Sequence, residues 1–351
     1  MTYLHLAGPD DDADLRHLLR ENGMPSWVEM TMEREPSYFA GVNRFGQEWA
    51  VIAKEHGDLV GMYSASVLPL WVNGAAEQVG YLGGLRVRSA YRRRIRHLRE
   101  GYASIVKLAP YATSRPLWFT IIAEENHTAR RLLESGLAGL PRYRQIGRYA
   151  TCALATARGR SLGLWRRPQA HDLPGLLSWQ RQTASSQQLS PALDEEMLAR
   201  FGLENVWMCN EGESIHGFAV LWNQSAYKQV VARRYRGALA WLRPAYNLYA
   251  RLSRRVELPA LGSALEQSSI SFLALSPQAL TDRKLARALI HDLLSRCMTP
   301  VATLGLHAEH PLLSVVAEFR AMRYAASVYT VEFHESAHLD NRPVQPEAAL
   351  F

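Results

Sequence analysis

Apolar and polar positions alternate through three successive stretches, "EWAVIAKEH", "LVGMYSASVL" and "QVGYLGGLRV". A period of two predicts β-strands. His56-Gly57-Asp58 separates the first pair and Asn73-Gly74 the second, residue types that predict tight hairpin turns. Ahead of them, a short strand leads into a helical pattern from Asp10 to Asn22, with Asp10 or Asp12 placed to cap it. A second helical region is expected between that helix and the strands. After them, Ile95, Leu98, Tyr102 and Ile105 mark a helix. "LWFTIIA" then reads as a strand, a helix starts near Asn126, and "GRYATCAL" closes the series. This order predicts a mixed α/β domain: a mostly antiparallel sheet of six to seven strands flanked by helices.

The pattern then repeats. Asp14-Leu15 with Leu18-Leu19 returns as Asp172-Leu173 with Leu176-Leu177, an offset of 158 residues. Val87-Arg88-Ser89 ends an apolar segment as Leu275-Ser276-Pro277 does, at an offset of 188, and Asn126 matches His310 at 184. Arg142-Tyr143 and Arg323-Tyr324 precede the last strand of each series. The expectation is two tandem domains, residues 1–157 and 163–335. The jump in offset from 158 to 188 places an insertion near 223–267 of the second. Residues 336–351 form a polar tail, expected to be loosely ordered.

Composition narrows the partners. The chain has 351 residues, 48% of them hydrophobic, and a formal net charge of +7, which favours anionic partners. Cys152, Cys209 and Cys297 are scattered and odd in number, so neither a disulfide framework nor a zinc site is predicted. His307, Glu309 and His310 invite a metal reading, but Pro311 looks like a helix start and the two histidines would straddle a strand end. No metal is predicted. Signal-peptide form and membrane-length apolar runs are both missing, so a cytoplasmic location is the expectation. Nucleic-acid binding has the charge but no recognised motif.

Seven arginines crowd "LRVRSAYRRRIRHLRE", at a junction of strand and helix where α/β folds bind phosphate. Leu85-x-Val87-x-Ser89-x-x-Arg92, followed by Asn126-x-x-Ala129-x-x-Leu132 and Gly136, resembles the GNAT N-acyltransferase superfamily, and the two halves resemble a tandem member of it. The resemblance implies an acyltransferase that moves an acetyl or other acyl group from acyl-coenzyme A to an amine. It also implies that Leu85, Arg86, Val87, Arg92, Arg93, Arg94, Ile95, Arg96, His97 and Asn126 hold the donor. Where the family has glycines, this chain has Arg93, Ile95 and His97. Three readings of the arginines stay open: phosphate contacts to coenzyme A, docking of an acidic acyl carrier protein, and a solvated helix face.

The resemblance also implies a base on the fourth strand and a tyrosine after the helix asparagine. "QVGYLGGLRV" holds no carboxylate, and the tyrosine position is Leu133. Glu124 and Glu125, at the end of the fifth strand, and Tyr149, on a neighbouring one, are the candidate proton-transfer groups. A non-catalytic binding protein that keeps the fold is the alternative. In the insertion, Leu239, Leu242, Tyr246, Tyr249 and Leu252 recur at helical spacing around Pro244, flanked by arginines. The expectation is a helix packing this stripe on its own domain, with membrane or acidic-partner binding as alternatives.

Overall fold

The computed structural model describes residues 3–24, 26–91, 95–108, 117–156, 159–333, 336 and 338–351. The first half runs β1 (Tyr3–Leu6), α1 (Asp12–Glu21), β2 (Val28–Glu33), β3 (Gln47–Glu55), β4 (Asp58–Val72), β5 (Ala75–Val87), α2 (Ile95–Leu108), β6 (Trp118–Ala123), α3 (His127–Leu133) and β7 (Arg142–Ala155). The second runs α4 (Leu173–Ala184), α5 (Glu195–Phe201), β8 (Val206–Glu211), β9 (Ser214–Trp222), β10 (Gln229–Tyr235), α6 (Leu239–Ser253), β11 (Gln267–Leu275), α7 (Pro277–Thr281), α8 (Arg283–Arg296), β12 (Val301–His307), α9 (Leu312–Glu318) and β13 (Met322–Glu332).

Both expected hairpins form. His56 and Gly57 have φ of 55° and 91°, and Asn73 and Gly74 have 52° and 85°. Two successive left-handed residues suit the twist of the flanking strands. Alternation then sorts the side chains. Ala50, Ile52, Leu59 and Met62 pack under α1 with Leu15 and Leu18. Val51, Tyr63, Ala65 and Leu82 face the other way, onto Tyr102 and Ile105 of α2. In the second half, Leu289, Ile290, Leu293 and Leu294 of α8 cover Ala302, Leu304 and Leu306 of β12.

The halves share one mixed sheet of eleven strands, in the order β1-β3-β4-β5-β6-β13-β7-β12-β11-β9-β8. Their last strands are exchanged. β13 pairs antiparallel with β6, and β7 pairs antiparallel with β12, while β7 and β13 run antiparallel down the centre. The mixed, mostly antiparallel sheet flanked by helices is the predicted class. The exchange was not predicted, because alternation identifies a strand without naming its neighbour.

Two other expectations are corrected. The second helical region of the first half is instead β2 and a short 3-10 turn, Tyr38–Gly41. β2 extends because β10, from the insertion, pairs with it from Gln229↔Glu33 to Tyr235↔Val28. The end of the chain is also well anchored. Gln345 donates its backbone N–H to Gln188, and its side chain bonds the backbone of His307 and Gly305. Pro346 takes the Tyr149 hydroxyl, and the ring of Phe351 lies 4.3 Å from that of Tyr81. Apolar residues of this segment fill the seam between the halves, which is where the polar composition misled.

Candidate functional site

β5 and β6 run parallel but, among the described residues, pair only at Gly80↔Trp118 and Tyr81↔Phe119. Beyond that point they part, while the other edge of β6 stays paired with β13 from Phe119↔Thr330 to Ala123↔Ala326. On its other side β5 bulges: Gly84 and Leu85 face Tyr63 alone, between the pairs Met62↔Arg86 and Ser64↔Gly83. Gly84 has φ of 62°, and a Cβ there would come within 3.0 Å of the Ser64 hydroxyl. Glycine permits this turn at little cost. The result is an open V whose sides are Gly83–Arg86 and Ile122–Glu124.

The second half repeats the feature. β11 and β12 pair only from Gln267↔Val301 to Ser269↔Thr303. β11 bulges at Phe272 and Leu273, between Ser271↔Val220 and Ala274↔Phe218, and Phe272 has φ of 55°. Phe272 lies 188 residues after Gly84, the same offset as the sequence anchors beside it. This second V is filled. The Phe272 N–H donates to Glu347 Oε2 at 2.6 Å, and Gln345, Pro346 and Glu347 leave a space of about 60 Å³ beside His310 and Gly305. Beyond the end of β6, by contrast, Ser26, Trp27, Glu125 and Arg236 line a cavity of about 310 Å³.

A band of buried charge lies under the first cleft. Arg86 stands at its edge with its Nε buried and, among the described residues, without a hydrogen-bond partner. Burial lowers its pKa, against Tyr81 and Tyr38. Arg34 donates to Glu48 at 2.6 Å, and its guanidinium sits 4.6 Å over the Tyr38 ring. Burial pushes the Tyr38 hydroxyl up to about 12. Lys228 donates to the main-chain oxygen of Phe351, and burial, then Arg34, lowers it to about 8. Burial raises Glu347 to about 7, although the Phe272 and Ala349 N–H groups and Lys228 pull the other way.

Glu347 therefore makes stability depend on pH. Its folded pKa is raised, so its contribution is complete below the ordinary value of 4.5 and is lost as the pH rises through about 7. The shift corresponds to roughly 3 kcal/mol. Thermal unfolding followed from pH 5 to 7.5 should show Glu347→Gln losing this downward slope. A variant with the native slope would remove Glu347 as its source.

The predicted site residues are distributed as follows. Leu85, Arg86 and Val87 lie on the cleft strand, with Leu85 exposed. Arg92, Arg93 and Arg94 lie outside the described residues. Ile95 begins α2. Arg96 is exposed and pairs with Glu100 at 2.7 Å, while His97 lies 4.0 Å from Glu55. Asn126 caps α3, its Oδ1 accepting from the Ala129 N–H at 3.2 Å; the His310 Nδ1 accepts from the Leu312 N–H, at the start of α9, at 3.1 Å. Glu124 is tied to Arg148 at 3.0 Å, and Glu125 is exposed in the cavity. Tyr149 is not brought to the cleft. It stands on β7 opposite Ala326, which stands opposite Ala123, and its buried hydroxyl donates to Pro346 at 2.7 Å. Among the described residues no cluster suits a metal ion, and no helix is long and apolar enough to cross a membrane. Sequence reasoning missed Arg34, Glu48, Lys228 and Glu347. Arg34 and Glu48 lie 14 residues apart, but Lys228 and Glu347 are far along the chain, and no local spacing marks the set.

No family model matches the chain, and no curated protein matches its sequence. Solved structures do. N-myristoyltransferase of Saccharomyces cerevisiae with bound myristoyl-CoA superposes with a TM-score of 0.59 at 10% identity, over 98% of this chain and 82% of that one. A second structure of it with myristoyl-CoA gives 0.60 at 11%, over 98% and 86%. A GCN5-related N-acetyltransferase from Sphaerobacter thermophilus gives 0.57 at 12%, over 96% and 98%. With a split parallel strand pair, a bulged strand beside it and these superpositions, the chain has the fold of the GNAT superfamily along nearly its whole length.

Proposed function

We propose that the protein is an N-acyltransferase that takes an acyl group, acetyl or longer, from acyl-coenzyme A and passes it to an amine at the β5–β6 cleft. The observation that carries this reading is the open V at Gly84, set against the filled V at Phe272. Two tandem GNAT-like domains, 1–157 and 163–335, account for the recurrence of the bulge at one offset. The fold neighbours, which include N-myristoyltransferase with its myristoyl-CoA, support an acyl-coenzyme A donor.

In this reading the thioester lies along Gly83–Leu85, and the amine approaches from the cavity. The amine nitrogen bonds to the thioester carbon, the carbon–sulfur bond breaks, and the thiolate leaves with the electron pair and is then protonated. The amine's proton passes to a carboxylate. Glu125 is the proposed acceptor, because it is exposed in the cavity while Glu124 is held by Arg148. Arg86, a cation at the cleft edge, faces the oxygen on which negative charge develops. Tyr149 is proposed to support the seam, since its hydroxyl is already bonded.

Calorimetric titration with acetyl-, octanoyl- and myristoyl-coenzyme A tests this. At least one should bind, and with that donor Arg86→Met should lower turnover about tenfold, a barrier higher by about 1.4 kcal/mol. Turnover with a carrier-bound acyl group and none with any coenzyme A thioester would replace the donor. No binding and no turnover would leave only the fold.

A further inference from the structure

α6 turns its apolar side outward. Ala250 is fully buried against the domain, Tyr246 donates to Val256, and Asn247 exchanges hydrogen bonds with Leu258. Of the five stripe residues, only Leu239 and Tyr246 pack inward. On the opposite face Trp241, Leu248 and Leu252, spaced i, i+7 and i+11, are 88%, 62% and 80% exposed, with Leu242 and Tyr249 beside them. The expectation that the stripe packs on its own domain is therefore corrected.

The surroundings of this face are cationic. Residues 236–255 hold Arg236, Arg243, Arg251, Arg254 and Arg255 and no carboxylate, and Arg251 pairs with Glu257 just beyond them. Arg236, Arg243 and Arg254 have no carboxylate partner among the described residues, and the Arg255 guanidinium lies 5.8 Å from the Tyr249 ring. A second copy pairing on this face would set arginine against arginine, which disfavours that occupant. An anionic lipid surface satisfies both the apolar ridge and its rim, with arginine stems lying along the ridge and their heads among phosphates. The face also adjoins the cavity. Trp27, 74% exposed, accepts the Arg236 N–H just before α6, and both residues line the cavity with Glu125.

We propose that α6 is an interfacial membrane helix that seats the protein on an anionic lipid surface, with the mouth of the Glu125 cavity at headgroup level. The proposal stands on the exposed ridge and its charge, and does not depend on the acyl donor.

The full chain should co-sediment with vesicles of phosphatidylcholine and phosphatidylglycerol and much less with phosphatidylcholine alone, and salt should weaken the binding. Trp241→Glu combined with Leu252→Glu should lower partitioning at least about tenfold while circular dichroism and Tm stay native, because both side chains are exposed. Arg243→Glu with Arg254→Glu should lower it several-fold on the anionic vesicles only. Absence of sedimentation at low salt, or an unchanged double variant, overturns the proposal. So does a lipid-free dimer that Trp241→Glu dissociates, which gives the face to a second copy, or binding to polyglutamate without binding to vesicles, which gives it to an acidic protein.

Discussion

Replacing Asp292 by alanine should cost roughly 3–5 kcal/mol of folding stability. Its carboxylate is fully buried on α8 and gathers the segment that joins the two halves. Oδ1 accepts from the Ser161 hydroxyl and the Leu162 N–H, both at 2.7 Å, and Oδ2 accepts from the N–H groups of Leu164 and Trp165 at 2.7 and 3.0 Å. Arg296 adds a cation at 3.3 Å. Burial alone would raise the pKa, but these donors outweigh it and hold the group at about 2. Alanine leaves three N–H groups, that of Trp165 buried, and a guanidinium without their acceptor. Urea unfolding should show a midpoint shift at unchanged slope, and a shift worth under about 1 kcal/mol would refute the argument. The pH dependence has the opposite sign to that of Glu347. The folded pKa is depressed, so the contribution is complete above the ordinary value of 3.8 and is lost as the pH falls through about 2, a span worth roughly 2 kcal/mol.

Gly84→Val should abolish acyl-coenzyme A binding, lowering affinity at least about a hundredfold, or ~2.7 kcal/mol. Two effects combine. A β-branched residue at φ of 62° is strained, which costs about 1–3 kcal/mol of stability. Its Cβ also meets the Ser64 hydroxyl at 3.0 Å, and its methyls lie at the bulge where the cleft opens. Gly84→Ala keeps the strain but adds less bulk, so comparing the two separates backbone cost from blockage. If the valine variant binds acyl-coenzyme A as tightly as the native protein, the donor sits elsewhere.

Much of the fold was legible because its signals are local. His56-Gly57 and Asn73-Gly74 can adopt left-handed conformations more readily than most residue pairs, and they do. Asn126 caps α3, and His310, at the matching place in the second half, accepts the first N–H of α9. The offset of 188 reappears in the bulges at Gly84 and Phe272, so the repeat seen in residue patterns is also a repeat of backbone shape. What was not legible depends on partners far along the chain. "VEMTME" is a strand because β10 lies beside it, about 200 residues on. The charge band under the cleft has the same origin: Arg34, Arg86, Lys228 and Glu347 carry no meaning until the sheet and the end of the chain bring them together. The arginine-rich segment drew attention to position 86 for a different reason, its place at the end of the fourth strand of a resembled fold. In the structure the Arg86 Nε is buried and, among the described residues, without a hydrogen-bond partner, while Arg96 is an exposed residue paired with its own helix.

The exchange of β7 and β13 also sets the order in which the protein can be made. The outer edge of β6 finds its partner only in residues 326–330, some two hundred positions later. While the ribosome is still building the second half, that edge presents unpaired backbone groups flanked by Trp118 and Phe119, a template for wrong pairing. Contacts so distant in sequence also slow folding, because a long loop must close before they form. A fragment ending after β7 would keep that edge bare, with aggregation as the consequence.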